Sequence, residues 1–249
     1  MLISKTSYYY KPKKKLADDE IKAYLKGLSE AHKRWGFDKM KQKSKLDGKP
    51  WNHKRLYRIY CELKLNIRVK PRKRLPSGDA KPLIYPIKSN ICWSIDFMTD
   101  VLVSDQKFRT LNVIDDFNRE GLMIEPAYSL KSEVVTDLLD KIIKSKGKPH
   151  IIRSDNGPEF QASHFKKWAK KNGIKLLFIQ PGKPAQNGFI ERFNRSYREE
   201  ILDMNLFYSL PEVAAITRLW LNEYNNVRPH HSLQGLTPKM FATTKNINR

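Results

Sequence analysis

Cysteine is nearly absent from this 249-residue chain: Cys61 and Cys92 are the only two. That is too few for a disulfide framework or a cysteine-rich zinc site, and both read as reduced packing residues. Long apolar runs are also missing. No stretch approaches the length of a membrane span, and the opening MLISKTSYYYKPKKK lacks the apolar core of a signal peptide. The expectation is a reducing, cytoplasmic compartment with no membrane partner. No internal repeat and no sustained heptads occur. Acidic residues are scarce, 26 Asp and Glu against 48 Lys and Arg, for a formal charge of +22. Solubility alone needs far less, so the imbalance implies a polyanionic partner. With 40% hydrophobic and 11% aromatic residues the chain folds, which excludes a disordered basic tail.

The charge is uneven. Residues 1–81 hold 24 Lys and Arg against 8 Asp and Glu, and residues 82–249 hold 24 against 18. The front is a basic module; the remainder resembles an ordinary globular domain. Residues 1–15 read as a flexible arm with Tyr8, Tyr9 and Tyr10 beside lysines. From Asp18 or Asp19, which can cap a helix, Ile21, Leu25 and Leu28 recur at helical spacing. RWGFDKM turns into a second helix. WNHKRLYRIYCELKL makes another, with Leu56, Ile59, Tyr60 and Leu63 inward and Lys54, Arg55, Arg58 and Lys64 elsewhere. This is a small all-α unit of helix-turn-helix type over residues 1–75, with Lys54, Arg55 and Arg58 as candidate DNA contacts. The Pro- and Lys/Arg-rich stretch that follows predicts a linker at 76–84, before a second domain at 85–245.

In that domain the pattern switches to strands. ICWSIDFMTDVLV alternates so that Ile91, Trp93, Ile95 and Phe97 share one face and Ser94, Asp96 and Met98 the other. RTLNVIDDF and GLMIEPAYSL complete an antiparallel meander. SEVVTDLLDKIIKSKG is an amphipathic helix with Val134, Leu138 and Ile142 inward, Val135 a further candidate, and Gly147 at its end. HIIRS, FKKWAKKNG and IKLLFIQ follow as strand, helix and strand, and two long helices close the chain. The expected fold is a mixed five-stranded α/β sheet with helices on both faces.

Asp96 lies mid-strand, where a carboxylate is costly to bury without a basic partner or a metal. Asp155 ends HIIRS, a strand expected beside the first one, just before an Asn-Gly turn. Glu191 sits at the margin of a helical stripe of Ile190, Phe193, Tyr197 and Ile201. Three converging carboxylates repel one another, and hard divalent cations such as Mg²⁺ or Mn²⁺ relieve this. Two such ions about 4 Å apart are a known device for phosphodiester transfer, and in a strongly basic protein the substrate class is nucleic acid. Asp115 and Asp116 fall on opposite faces, so both cannot serve, and a structural role is preferred. Lys183, Gln186 and Asn187, in the Gly/Pro-rich QPGKPAQNG, are candidate DNA contacts, Asn187 alternatively a helix cap. Arg195 on the Glu191 helix joins them. Trp93 and Trp168 read as core, His230 and His231 as packing or phosphate contacts.

The interval of 58 and then 35 residues between Asp96, Asp155 and Glu191 resembles the DD(35)E signature of integrases and transposases. WSIDFMTD, LNVIDDFNRE, IRSDNGPEF, QPGKPAQNGFIERFNRSYREEIL and YNNVRPHHSLQGLTP are similar to the catalytic subunit of insertion-sequence-three-family bacterial transposases, across about residues 82–245. The resemblance implies a ribonuclease-H-like integrase core, two Mg²⁺ ions on Asp96, Asp155 and Glu191, and transposon terminal repeats and target DNA as substrate, handled by a homo-oligomer. The family's basic residue seven positions after the Glu matches Arg198, about 10 Å along the same helix face. That suits a phosphate contact, the alternative being a solvated pair with Glu191 or Glu200. Retroviral relatives carry a His/Cys zinc module whose spacing is missing here. In the bacterial family an upstream reading frame often supplies end recognition and dimerising heptads, a possible partner for this chain. The rival expectations are a catalytically silent DNA-binding descendant and a nuclease that cuts without joining.

Overall fold

The computed structural model describes residues 4–9, 16–49, 51–67, 86–180 and 184–247. The chain divides into two compact units, Met1–Lys70 and Pro71–Arg249. The linker expected at 76–84 and the candidate contact Lys183 lie outside the described residues.

The first unit is helical: α1 (Lys5–Tyr8), α2 (Leu16–Ala31), α3 (Phe37–Leu46) and α4 (His53–Glu62). Where a flexible arm was expected, Lys5–Tyr8 form one helical turn; residues 10–15 lie outside the described residues. Ile21 and Leu25 of α2, Trp35, Met40, and Leu56, Ile59 and Tyr60 of α4 form the buried interior. Leu63, expected on that inner face, is half-buried at the C-cap of α4, where the helix has ended. Asn52 starts α4 by accepting the backbone N–H groups of Lys54 (3.0 Å) and Arg55 (3.4 Å), which satisfies two otherwise orphaned donors.

The second unit carries β1 (Cys92–Val101), β2 (Lys107–Asp115), β3 (Gly121–Ala127), α5 (Ser132–Lys146), β4 (Ile151–Ser154), α6 (Pro158–Gln161), α7 (Ser163–Lys171), β5 (Lys175–Phe178), α8 (Gly188–Glu200), α9 (Leu210–Asn226) and α10 (Pro238–Ile247). The five strands form one sheet in the order β3-β2-β1-β4-β5. The first three run antiparallel, while β4 and β5 run parallel to β1.

Alternation along β1 feeds two cores. Trp93 and Ile95, with Leu111, Val113 and Ile152, pack against α5, α6 and α7 on one face. Met98, Ile114 and Ile124 pack against Ile190, Phe193 and Tyr197 of α8 and Val213, Trp220 and Tyr224 of α9 on the other. The sheet thus has helices on both faces. One inward assignment on α5 is corrected: Val134 is exposed, while Val135, Leu138, Leu139 and Ile142 are buried. Successive four-residue steps overshoot the 3.6-residue turn, so a stripe drawn through 134, 138 and 142 drifts off the face that packs. Trp93 and Trp168 are core, as expected.

The close approach of α8 and α9 to β3 depends on a glycine. A Cβ at Gly121 would lie 2.6 Å from Leu221 Cδ1 and 2.8 Å from the Phe193 ring. Asn225 of α9 fastens the same point, accepting the Gly121 N–H at 2.9 Å and donating to its carbonyl at 2.8 Å.

Candidate active site

Two carboxylates are placed by the parallel ladder between β1 and β4. Its last pair is Ser94↔Arg153, and Asp96 and Asp155 each stand two residues further on. They are therefore level on neighbouring strands, Asp155 just past the end of β4. Asp155 sits in an Asx turn, its Oδ1 accepting the Gly157 N–H at 3.1 Å. A Cβ at Gly157 would come within 3.1 Å of that oxygen. Asn156 pins the turn to the end of β5 by donating to the Ile179 carbonyl (2.9 Å), and accepts from Gln161 (3.2 Å). The turn reading and the acid reading of Asp155 are thus compatible.

Asp96 is half-buried, on the sheet face covered by α8. Its Oδ1 accepts the Phe97 N–H and its Oδ2 accepts the Asn194 side-chain amide, both at 2.8 Å. Asn194 Oδ1 in turn accepts from Asn112 Nδ2 at 2.7 Å, and Asn112 is the cross-strand neighbour of Asp96. Burial above all pushes the Asp96 carboxyl up to about 6. The Phe97 N–H and the Asn194 amide pull it down, and the negative charges of Asp155 and Glu191 add to the rise. The third acid is therefore close enough to be felt.

Glu191 lies in the first turn of α8, exposed over the residue as a whole. Partial desolvation raises its carboxyl, against the charge of Arg195 one turn on. Ile190, Phe193 and Tyr197 are buried beneath it. At the far end Arg198 donates to Asp100 Oδ2 (3.3 Å) and to the Thr99 carbonyl (2.8 Å), so it ties α8 to β1. It is also 3.7 Å from Asp203; neither Glu191 nor Glu200 is its partner in these ion pairs.

Among the other candidates, Arg195 is exposed. Gln186 closes the stem of its loop, accepting from the Gln180 N–H (2.9 Å) and donating to the Gln180 side chain (3.3 Å). Asn187 precedes α8 but makes no capping bond with its side chain; it is 3% exposed and its Oδ1 has no partner among the described residues. Arg55 and Arg58 are tied to Asp18 (both N···O contacts short, 2.7 and 2.8 Å), whereas Lys54 is exposed. His230 packs on the Tyr224 ring, 4.7 Å between centroids.

Asp115 and Asp116 are structural. Asp115 accepts the N–H groups of Asn90 and Phe117, both at 2.8 Å. Asp116 is fully buried, paired with Arg153 at 2.8 Å and accepting from Ser94 Oγ at 2.7 Å. The residue that sequence reasoning missed is Asn194. It falls three positions after Glu191, on the stripe that packs the helix, and a polar residue in an apolar stripe is the one signal that pointed to it.

Among the described residues no three His, Cys, Asp or Glu side chains are gathered closely enough to hold a metal ion in this conformation. The donor chemistry nevertheless suits a hard divalent cation. The set is carboxylate oxygen throughout, Asp96 is raised partly by like charge, and no Lys or Arg pairs with Asp96 or Asp155 among the described residues. No helix of the described residues is long and apolar enough to cross a membrane.

The sheet order and the flanking helices define the ribonuclease-H-like integrase-core class. A chain of the simian T-cell lymphotropic virus intasome, solved in complex with PP2A regulatory subunit B56 gamma, is similar in fold. The TM-score is 0.54 at 16% identity, over 88% of this chain and 74% of that one. Two models described as integrase core domain match, over residues 87–184 and 172–238. Over 240 residues the chain is 33% identical to the insertion element IS476 uncharacterized 39.2 kDa protein of Xanthomonas euvesicatoria, covering 96% of this chain and 69% of that one. It is equally identical over 240 residues to the insertion element IS407 uncharacterized 31.7 kDa protein of Burkholderia multivorans, at 96% and 87%. It is 25% identical to the putative transposase InsK of insertion element IS150 from Escherichia coli, at 95% and 88%. The chain belongs to the insertion-element transposase family with an integrase core, and the insertion-sequence-three family is consistent with it.

Proposed function

We propose that this protein is a DNA transposase that cuts and joins DNA strands at the ends of an insertion element, with Asp96, Asp155 and Glu191 as its catalytic acids. The observation that carries the reading is the level placement of Asp96 and Asp155 on adjacent parallel strands, with the charge of Glu191 felt at Asp96. These three side chains would hold Mg²⁺ or Mn²⁺, two ions. Bound there, the ions would activate the attacking oxygen and stabilise the departing one.

The chain's own residues supply positioning. The Phe97 N–H and Asn194 hold the two Asp96 oxygens in fixed directions, and the Asx turn does the same for Asp155. The buried stripe of α8 holds Glu191 at its station. In cleavage, a water oxygen bonds to the scissile phosphorus as the bond to the 3′ oxygen breaks; the water gives up a proton to solvent and the departing 3′ oxygen takes one up, leaving a 5′-phosphate and a 3′-hydroxyl. In joining, the freed 3′-hydroxyl attacks a target phosphodiester in the same way. Arg195 and Arg198, Gln186, Asn187 and Lys183 are proposed to line the DNA path. Part of the Arg198 charge is already satisfied by Asp100.

The substrate is duplex DNA, both terminal repeats and target, which the +22 charge supports. We assign the basic helical region 1–75 to DNA binding and 85–245 to catalysis. A homo-oligomer on DNA, assisted by the product of an upstream reading frame, completes the reading, in the bacterial cytoplasm at the nucleoid.

The test is strand transfer with a pre-cleaved 3′-hydroxyl end in Mg²⁺. Asp155→Asn should abolish joining and keep DNA binding. Full joining by that variant would refute the assignment, and cleavage without any joining by the parent would identify a nuclease.

A further inference from the structure

The first unit carries seven carboxylates against twenty Lys and Arg over residues 1–70, and the ion pairs distribute them unequally. Along the seam between α2 and α4, Asp18 takes both Arg55 and Arg58, while Glu62 takes Lys22 at 2.8 Å and Arg58 at 3.5 Å. The Asp18 carboxyl is held below the usual range by the Arg58 and Arg55 hydrogen bonds. Glu20 is paired with Lys49, and Asp47 with Lys43. Two of the three α4 cations that the sequence offers to DNA therefore serve the seam.

The solvent side of α4 is different. Lys54 and Tyr57 are one helical turn apart and exposed, Tyr57 49% so. The ring is not loose. Its edge meets Phe37 at 4.9 Å and 73°, and Phe37 is backed in turn by Tyr60 at 5.4 Å. The nearest carboxylate of α3, Asp38, is paired with Lys41, whose Nζ lies 5.7 Å from the Phe37 ring. An exposed aromatic ring held in place by a second ring, beside a lysine, is expensive to leave in water. It loses little conformational freedom on binding.

We propose that α4 enters the major groove of duplex DNA through Lys54 and Tyr57, with Arg55 and the more exposed Arg58 tied to Asp18 as struts to α2. Charge complementarity selects the partner, since Glu62 of α4 and Asp38 of α3 are both already paired with cations. A single helix is the shape that the major groove admits. Lys54 meets a phosphate, and Tyr57 meets a base edge or the adjoining backbone. The inference rests on the DNA reading above and adds which face is used.

Binding of the full-length protein to a pool of random-sequence duplexes, measured across a salt series, tests it. Lys54→Ala should lower the salt slope by about one. Tyr57→Ala should weaken binding about fivefold or more, with Tyr57→Phe intermediate and an unchanged melting temperature for Lys54→Ala and Tyr57→Phe. Arg55→Ala should lower the melting temperature while the molecules that remain folded bind with nearly parental affinity. Lys54→Glu, at an exposed position, guards against a folding defect at Tyr57 and should weaken binding more than Lys54→Ala. Parental affinity and salt slope in Lys54→Glu and Tyr57→Ala would overturn the proposal while leaving the DNA reading intact. A parent that binds no duplex would overturn the DNA reading and this face with it.

Discussion

Asn194 on α8 donates its side-chain amide to Asp96 Oδ2 on β1 at 2.8 Å, across 98 positions of sequence. It is 8% exposed and is itself held by Asn112, so the orientation of one proposed catalytic acid is set by two buried amides. Partners of this kind typically contribute 10–100-fold to metal affinity or activity. Asn194→Ala should accordingly cut strand transfer by about 10–100-fold. It should also raise the Mg²⁺ concentration needed for half-maximal rate, with duplex affinity unchanged. A loss of rate with an unshifted Mg²⁺ requirement would reduce Asn194 to a packing residue.

The Asp116–Arg153 pair, behind the site, has side chains 0% and 3% exposed. Removing one partner strands a buried charge. Arg153→Met should cost about 3–5 kcal/mol in urea unfolding. Restoring neutrality with Asp116→Asn in the same chain should recover part of that loss.

Gly121 should tolerate no side chain. Gly121→Ala would press on Leu221 and Phe193, for about 1–3 kcal/mol of destabilisation by overpacking. Because Phe193 belongs to the helix that carries Glu191, joining activity measured well below the melting temperature should fall as well.

Asp115 gives a pH dependence with a definite sign. Burial pushes its carboxyl up to about 6, outweighing the N–H donors of Asn90 and Phe117. A raised carboxyl holds its proton more tightly folded than unfolded. Its contribution therefore favours the fold below the ordinary 3.8 and is lost as pH rises through about 6. Asp115→Asn does not titrate. Its stability relative to the parent should improve as pH is raised through that window, as melting temperatures in a pH series would show.

Periodicity along single elements was readable without coordinates. The alternation of β1, the meander, and the Ile190–Phe193–Tyr197 stripe follow from local backbone geometry, because the 2.0 and 3.6 repeats are properties of one segment. The three proposed acids were picked out there too, because their spacing resembles a known signature. The boundaries of a packed stripe were harder: Val134 and Val135 are neighbours, and which one is buried depends on where the sheet meets α5.

Pairings between distant segments were decided by the tertiary structure alone. Arg55 and Arg58 looked like free cations until Asp18 was folded against them, and only the fold shows that Arg198, a proposed phosphate contact, shares its charge with Asp100. Asn112 and Asn194 gave little sign of acting on Asp96, because a side-chain hydrogen bond needs atoms within about 3 Å. Only the stacking of α8 on the sheet brings residues 82 and 98 positions apart that close. The sequence by itself determined the family and, through it, the proposed chemistry. The fold decided which charges remain available to use it, since every ion pair closed inside the protein is a cation withdrawn from its partner.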